Sequence, residues 1–359
     1  MTKKGKRIGI LTGGGDCPGL NPAIRGAVIQ ASALGYECLG MQEGWKGMLT
    51  GEHQVLTPAD VAEIVGKGGT ILGTSRTNPY KKENGVPAVL ETFKKLGLDA
   101  LIAMGGEDTL GVASKLYKEH KCNVVGVPKT MDNDLSATDF TFGFDTAATL
   151  AMEAGERLVD TGRSHRRIMV LEVMGRHAGW VALYTAMGAG ADYVCLPERK
   201  VDVEDMIRSL TGAHARKKVA LVVASEAVDL GDTGKEELDE FGHMILKKRG
   251  VAERLSELIE KKTGIETRSA VIGHMQRGGA PTMFDRILGT RVGVKAAQLV
   301  AEGKFGQMVA LRGNEVSGVP LDKATGTLKT VPAEWLALAD LVCTGSIRGA
   351  SKAKALASR

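Results

Sequence analysis

Aromatic residues are scarce, only 4% of the 359 residues, which disfavours a surface that binds by stacking on bases. Neither charge sign dominates: 47 lysines and arginines face 42 aspartates and glutamates, a net charge of +5. That charge is too diffuse for a nucleic-acid groove but suits a small anionic substrate. No apolar run approaches a membrane span. The run Ile8–Leu11, behind the basic Lys3–Arg7, is also too short to act as a secretory signal. Five cysteines are present, Cys17, Cys38, Cys122, Cys195 and Cys343, an odd number without CxxC spacing. They read as reduced thiols of a cytosolic protein, neither a disulfide framework nor a zinc site.

Glycine, by contrast, is plentiful at 47 residues, many of them where an apolar run gives way to a helical pattern. Strand candidates are 7–12, 99–104, 123–127, 167–173, 191–195, 218–224, 268–273 and 307–311. Helix candidates between them include 21–33, 109–118, 144–160, 177–187, 203–212, 251–262 and 285–301. Alternation of this kind predicts an α/β protein with mainly parallel sheets and right-handed crossovers. The number of strands suggests two sheets; a TIM barrel suits the irregular spacing less well. There is no internal repeat, and the small, basic residues 350–359 are expected to fray.

The densest chemistry lies in Gly126-Val127-Pro128-Lys129-Thr130-Met131-Asp132-Asn133-Asp134, directly after an apolar run. A loop at a strand end delivers polar groups to the sheet rim, where α/β proteins bind ligands. Asp132 and Asp134 are two apart, so in an extended segment they would point the same way. Two carboxylates beside a lysine suit a magnesium-bound phosphate, although a plain polar turn has a similar composition.

Three glycine-rich segments also follow strand candidates or precede helices. Thr12–Asn21 contains Gly13-Gly14-Gly15, whose amides can approach phosphate oxygens at a helix N-terminus. It lacks the Gly-Lys-Ser/Thr of a Walker A loop, and Pro18 and Asn21 spoil a dinucleotide fingerprint. Gly105-Gly106-Glu107-Asp108-Thr109 is either a capped helix start or a phosphate loop with a metal carboxylate. Gly68–Arg76 offers small hydroxyls before an arginine. A cationic set flanks other strands: Arg166 and Arg167, Arg176, Arg268, His274 and Arg277. Arginines at strand ends can fork onto a phosphorylated substrate.

Taken in order, GGGDCPGLNPAIRG, GGTILGTSR, GGEDTLG, PKTMDNDL, SHRRI, MGRHAGW, ASEA and GHMQRGG span nearly the whole chain. In this the chain resembles the bacterial-type phosphofructokinases. The resemblance implies two Rossmann-like domains with an active site in the cleft between them. On that pattern residues 1–142 with 255–305 bind the donor phosphate, and 143–254 with 306–359 bind the sugar phosphate. It implies Asp132 as the base for the sugar 1-hydroxyl, Thr130 on the phosphoryl group or the sugar, and Asp134 near the metal. Arg176 would stabilise charge on the transferred group. Glu226, Met174 and Gly175 would contact the sugar, with His274 and Arg277 holding its 6-phosphate. Arg167 and Arg268 would reach that phosphate from a neighbouring subunit of a homodimer or homotetramer. Gly14, Gly15, Arg76, Asp108, Thr109 and Lys129 would line the donor site, with Glu107 or Asp108 on Mg2+.

The family divides between ATP and pyrophosphate as donor. ATP users commonly carry GGDG and PGT, whereas here Asp108 and Lys129 take the two glycine places. A carboxylate at 108 adds bulk and repels a nucleotide α-phosphate, and a lysine can pair with terminal phosphate. The expected reaction is therefore reversible transfer from pyrophosphate to fructose 6-phosphate, serving glycolysis and gluconeogenesis. Some relatives also accept sedoheptulose 7-phosphate. An ATP-dependent enzyme is the alternative. A lipid or NAD kinase would lack the paired PKTMDND and GHMQRGG, and a regulatory subunit would lack Asp132 or Arg176. Ile29 and Val159 stand where allosteric relatives have arginines, although Arg25 remains, so little response to ADP or phosphoenolpyruvate is expected.

Overall fold

Apolar runs that end in glycine become the central strands, because strands covered on both faces need no polar alternation. A computed structural model describes residues 6–231 and 250–344. The chain divides into two units, one of residues up to Thr146 with Arg277–Leu328, the other Ala147–Gln276 with the residues from Lys329.

The first unit runs β1 (Lys6–Thr12), α1 (Leu20–Ala33), β2 (Tyr36–Met41), α2 (Trp45–Thr50), β3 (His53–Leu56), α3 (Gly85–Leu96), β4 (Ala100–Gly105), α4 (Glu107–His120) and β5 (Val124–Pro128). The chain leaves it through α5 (Phe144–His165). The second unit holds β6 (Ile168–Val173), α6 (Trp180–Gly188), β7 (Tyr193–Cys195), α7 (Val203–Lys217), β8 (Ala220–Ser225), α8 (Val251–Thr263) and β9 (Thr267–Val271). The chain returns to the first unit for α9 (Met283–Ala301), β10 (Gln307–Arg312), β11 (Glu315–Pro320) and α10 (Leu321–Ala324), and α11 (Ala333–Thr344) ends the second.

The first sheet has the order β11-β10-β5-β4-β1-β2-β3 and the second β7-β8-β6-β9. The second is parallel throughout; in the first only the edge pairs β2–β3 and β10–β11 are antiparallel. Strands β4, β5 and β8 are buried along their whole length. All five cysteines are buried and free.

Two expectations need correction. The chain was expected to cross near 143, 254 and 305, but the divisions fall at 146, 276 and 328. Residues 255–276 stay in the second unit because β9 pairs with β6, and β10 and β11 stay in the first because β10 pairs with β5. Alternation of strand and helix says nothing about which sheet a strand joins. Strands β2, β3 and β11 were also absent from the sequence reading. The expected frayed tail lies outside the described residues.

Helices α1 and α9 pack backbone to backbone across glycines. A Cβ on Gly293 would lie 2.1 Å from the Ala23 carbonyl oxygen, and one on Gly26 would lie 2.4 Å from that of Thr290. Buried Asp285 ties this pair to the start of α5: its Oδ2 accepts from Thr146 N at 2.8 Å and Thr146 Oγ1 at 2.6 Å. Neither backbone can yield without moving a whole helix. Gly293→Ala is expected to cost about 1–3 kcal/mol, read as a lower urea midpoint with an unchanged slope.

Candidate active site

Four strand-end loops of the first unit come together. Gly13 N donates to Met104 O at 2.9 Å and Gly14 N to Ser75 O at 3.0 Å. Thr74 Oγ1 donates to Gly14 O at 2.6 Å, and Lys129 N to Gly105 O at 3.0 Å. Gly14 has φ +80°, a conformation that favours glycine. Asn21 holds the third loop, donating to Lys67 O and Gly68 O at 3.1 Å each and accepting from Ile71 N at 2.9 Å. Gly14, Gly15, Arg76, Asp108, Thr109 and Lys129 all belong to this cluster of loops. Arg76 is exposed, and Thr109 is buried against Gly13, where an added Cβ would lie 2.6 Å from its Oγ1.

Lys129 is 4% exposed, yet it carries an ammonium group. Its Nζ donates to Gly15 O. Burial pushes its pKa down and Arg277 adds to that, while Cys17, Asp132 and Asp16 oppose it. Arg277 lies against the same loop, with Nη1 donating to Asp16 O at 3.0 Å. A Cβ on Gly15 would meet that nitrogen at 2.7 Å, so the absence of a side chain there admits the guanidinium. Arg277, expected beside His274 on the sugar phosphate, is packed against the Gly15–Asp16 backbone of the first unit.

The segment from Thr130 to Asp134 is a turn rather than extended chain, which corrects the geometry expected for its two aspartates. Asn133 takes φ 52°, a region that asparagine tolerates, and its Oδ1 accepts from Thr141 N at 3.1 Å. Thr141 Oγ1 closes the turn onto Thr130 O at 2.6 Å. The carboxylates are nonetheless electrostatic neighbours. Asp134 is pushed up to about 6, first by burial, then by Asp132, with a smaller push from Glu107, while the Thr130 hydroxyl opposes. Asp132 N donates to Thr130 Oγ1 at 3.1 Å, and the buried Oδ1 of Asp132 has no hydrogen-bond partner among the described residues. Glu107 Oε1 accepts from Gly326 N at 3.0 Å.

Asp132 and, more weakly, Glu107 thus act on the Asp134 carboxyl. Among the described residues no three His, Cys, Asp or Glu side chains converge as a closed metal cage. Magnesium bound through one or two carboxylates and substrate phosphates requires none.

In the second unit, the loops after β6 and β8 carry Met174, Gly175, Arg176 and Glu226. Gly175 N faces Glu226 Oε1 at 3.4 Å, and Glu226 N donates to Val173 O at 2.9 Å. His274 is exposed on the short 3₁₀ turn Gly273–Arg277 that follows β9. Arg167 and Arg268 sit at the opposite, N-terminal ends of β6 and β9. Both pair with Glu266, Arg167 at 2.8 Å. The six residues of β6 separate Arg167 from Met174 by about 20 Å. Asn21, Asn133, Ser225 and Gln276 were missed as site residues, although all four lie inside the quoted motifs.

The raised Asp134 carboxyl has a consequence for stability. Its folded pKa of about 6 exceeds the ordinary 3.8, so the folded state holds this proton more tightly. The stability this adds is present below pH 3.8 and is lost as pH rises through about 6. Asp134→Asn, which cannot ionise, is expected to be more stable than the parent at pH 8 in metal-free buffer, by about 3 kcal/mol. Thermal denaturation should show the gap closing toward pH 4; a constant gap would refute it.

Residues 7–300 match the phosphofructokinase family. The chain is 51% identical over 334 residues to the pyrophosphate–fructose 6-phosphate 1-phosphotransferase of Amycolatopsis methanolica, covering 91% of this chain and 97% of that one. It is also 45% identical to ATP-dependent 6-phosphofructokinase 3 of Streptomyces coelicolor, covering 94% and 99%. Among solved structures, the pyrophosphate-dependent phosphofructokinase of Nitrosospira multiformis shares the fold, with TM-score 0.83, 21% identity and coverage of 96% and 92%. Pichia pastoris phosphofructokinase aligns with TM-score 0.78 and 28% identity over 90% of this chain but only 36% of its own, longer chain. With its motifs in order and its glycine loops gathered at the strand ends, the chain belongs to the phosphofructokinase family.

Proposed function

We propose that this protein transfers a phosphoryl group from pyrophosphate to the 1-hydroxyl of fructose 6-phosphate, giving fructose 1,6-bisphosphate and phosphate. The observation that carries the donor choice is the buried Lys129 ammonium bonded to the glycine loop. An ATP user with glycine there has open, neutral space; here a cation waits for a terminal phosphate. Asp108, in the first turn of α4, adds a carboxylate that repels the nucleotide α-phosphate. A tenfold preference needs only about 1.4 kcal/mol. The relatives that are 51% identical and named for pyrophosphate support the same choice.

Asp132 takes the proton of the sugar 1-hydroxyl as that oxygen attacks the donor phosphorus. The new O–P bond forms while the bond to the bridging oxygen breaks, and inorganic phosphate leaves. The unpartnered Oδ1 of Asp132 suits the task, because a base must keep one oxygen for the incoming hydroxyl. Thr130 orients the phosphoryl group, Arg176 stabilises its charge, and Lys129 with Gly14, Gly15, Arg76 and Thr109 holds pyrophosphate. Glu226, Met174 and Gly175 orient the sugar, and His274 with Arg277 takes the 6-phosphate. Glu107 or Asp108, with Asp134 nearby, would hold Mg2+, which would supply positive charge against the phosphate oxygens.

Arg167 and Arg268 are about 20 Å of strand away from Met174, so they serve the site of a neighbouring copy in a homodimer or homotetramer. The unit containing β1 binds the donor and the other binds the sugar phosphate. The two donor-side and acceptor-side potentials are similar, so the reaction runs both ways in the cytoplasm, and with Ile29 and Val159 in place of two effector arginines, although Arg25 remains, it responds little to ADP and phosphoenolpyruvate.

Purified protein with fructose 6-phosphate and Mg2+ is expected to turn over with pyrophosphate and not with ATP. Turnover with ATP alone would overturn the donor choice, and no turnover with either would overturn the activity. Asp108→Gly should raise kcat/KM for ATP at least severalfold. Asp132→Asn should lower kcat about a thousandfold while KM for both substrates changes little, which steady-state kinetics would check.

A further inference from the structure

Gln276 has no exposed surface, although it lies between His274 and Arg277. Both ends of its amide are used within the second unit. Oε1 accepts from Met174 N at 2.8 Å, and Nε2 donates to Ala147 O at 3.2 Å. One partner is a donor and the other an acceptor, so only one orientation of the amide satisfies both. The side chain thereby joins three elements: the turn after β9, the loop after β6, and α5.

The loop it grips has little freedom left. Gly175 takes φ +140°, where a Cβ would lie 3.0 Å from Ala178 O. Its carbonyl accepts from Ser225 Oγ at 2.6 Å, and that hydroxyl also accepts from Ala227 N at 3.3 Å. Uncommon backbone conformations persist where their surroundings over-determine them. Gln276 pins the residue before Gly175, Ser225 pins Gly175 itself, and Arg176 follows directly.

We propose that Gln276 is a positioning residue for the sugar phosphate. It fixes the backbone of Met174–Arg176 relative to His274, and so sets the span between the groups that hold the ring and the one that takes the 6-phosphate. This role rests on the assignment of fructose 6-phosphate to these residues. Gln276 touches no reacting atom and acts only through the loop. A loosened loop weakens fructose 6-phosphate and, through Arg176, lowers kcat, whereas ground-state binding of pyrophosphate rests on Lys129 and the glycine loops of the first unit.

Gln276→Met keeps the volume and removes both hydrogen bonds. It is expected to raise KM for fructose 6-phosphate about tenfold, leaving KM for pyrophosphate within about twofold of the parent. Ser225→Ala, a smaller change to the same loop, should show the same split at a few-fold level, and it decides the matter if Gln276→Met does not fold. Fructose 6-phosphate alone should also raise the melting temperature of the parent more than that of either variant. An unchanged KM for fructose 6-phosphate in the folded variants overturns the role, as does an equal rise for both substrates. A parent that neither melts higher with fructose 6-phosphate nor turns it over overturns the functional reading first, and this role with it.

Discussion

Removing an ammonium group from water is costly unless dipoles and opposite charges replace its hydration. Lys129, 4% exposed, imposes that demand on the first unit. The Gly15 carbonyl accepts its hydrogen bond, and Asp132 and Asp16 lie near enough to raise its pKa against the pull of burial. A side chain at Gly14 would already crowd the ammonium, at 3.4 Å from Nζ, and one at Gly15 would displace the Arg277 guanidinium. The glycines of the first loop are thus a condition for bringing two cations onto backbone carbonyls. The depressed pKa means that this charge is held at a cost a bound anion would relieve.

Anionic and cationic groups meet within the same set of loops. Asp134 and Asp132 sit on the turn that leaves β5, and Glu107 opens α4 next to it. Burial and mutual repulsion raise the Asp134 carboxyl to about 6, so near neutrality the site carries unneutralised negative charge beside Lys129. On the function proposed above, an incoming phosphate would need the lysine and its counter-cation the carboxylates, so neighbouring loops would meet both halves of a metal–phosphate pair.

The second unit, to which the proposed function assigns the sugar, would have a different task, that of holding neutral hydroxyls in register. Its parallel sheet places the loops after β6 and β8 at one edge and the Arg167–Glu266–Arg268 group at the other. Buried polar side chains hold the first edge. Gln276 and Ser225 each bond to backbone of the Met174–Gly175 loop, and Glu198 receives Gly179 N at 2.8 Å and Val331 N at 3.0 Å. Such contacts are worth more buried than exposed, since a lost partner leaves an unsatisfied group in a low dielectric.

Much was legible in the chain because its signals are local. Glycine clusters after apolar runs marked the β1, β4 and β5 loops, and residue types marked Lys129, Asp132 and Arg176 as chemical. Strand β11, EVSGVP, escaped notice because a polar edge strand has no apolar run. The extended geometry expected for Asp132 and Asp134 failed because Asn133 takes a left-handed turn, stabilised by Thr141 eight residues on. The sequence by itself determined the chemistry available at each strand end, through composition and period. Only tertiary structure decided which sheet β9 and β10 join, that Arg277 rests on the Asp16 carbonyl, and that Gln276 reaches Met174. Those outcomes depend on pairings between residues as many as 261 positions apart, and no local pattern encodes them.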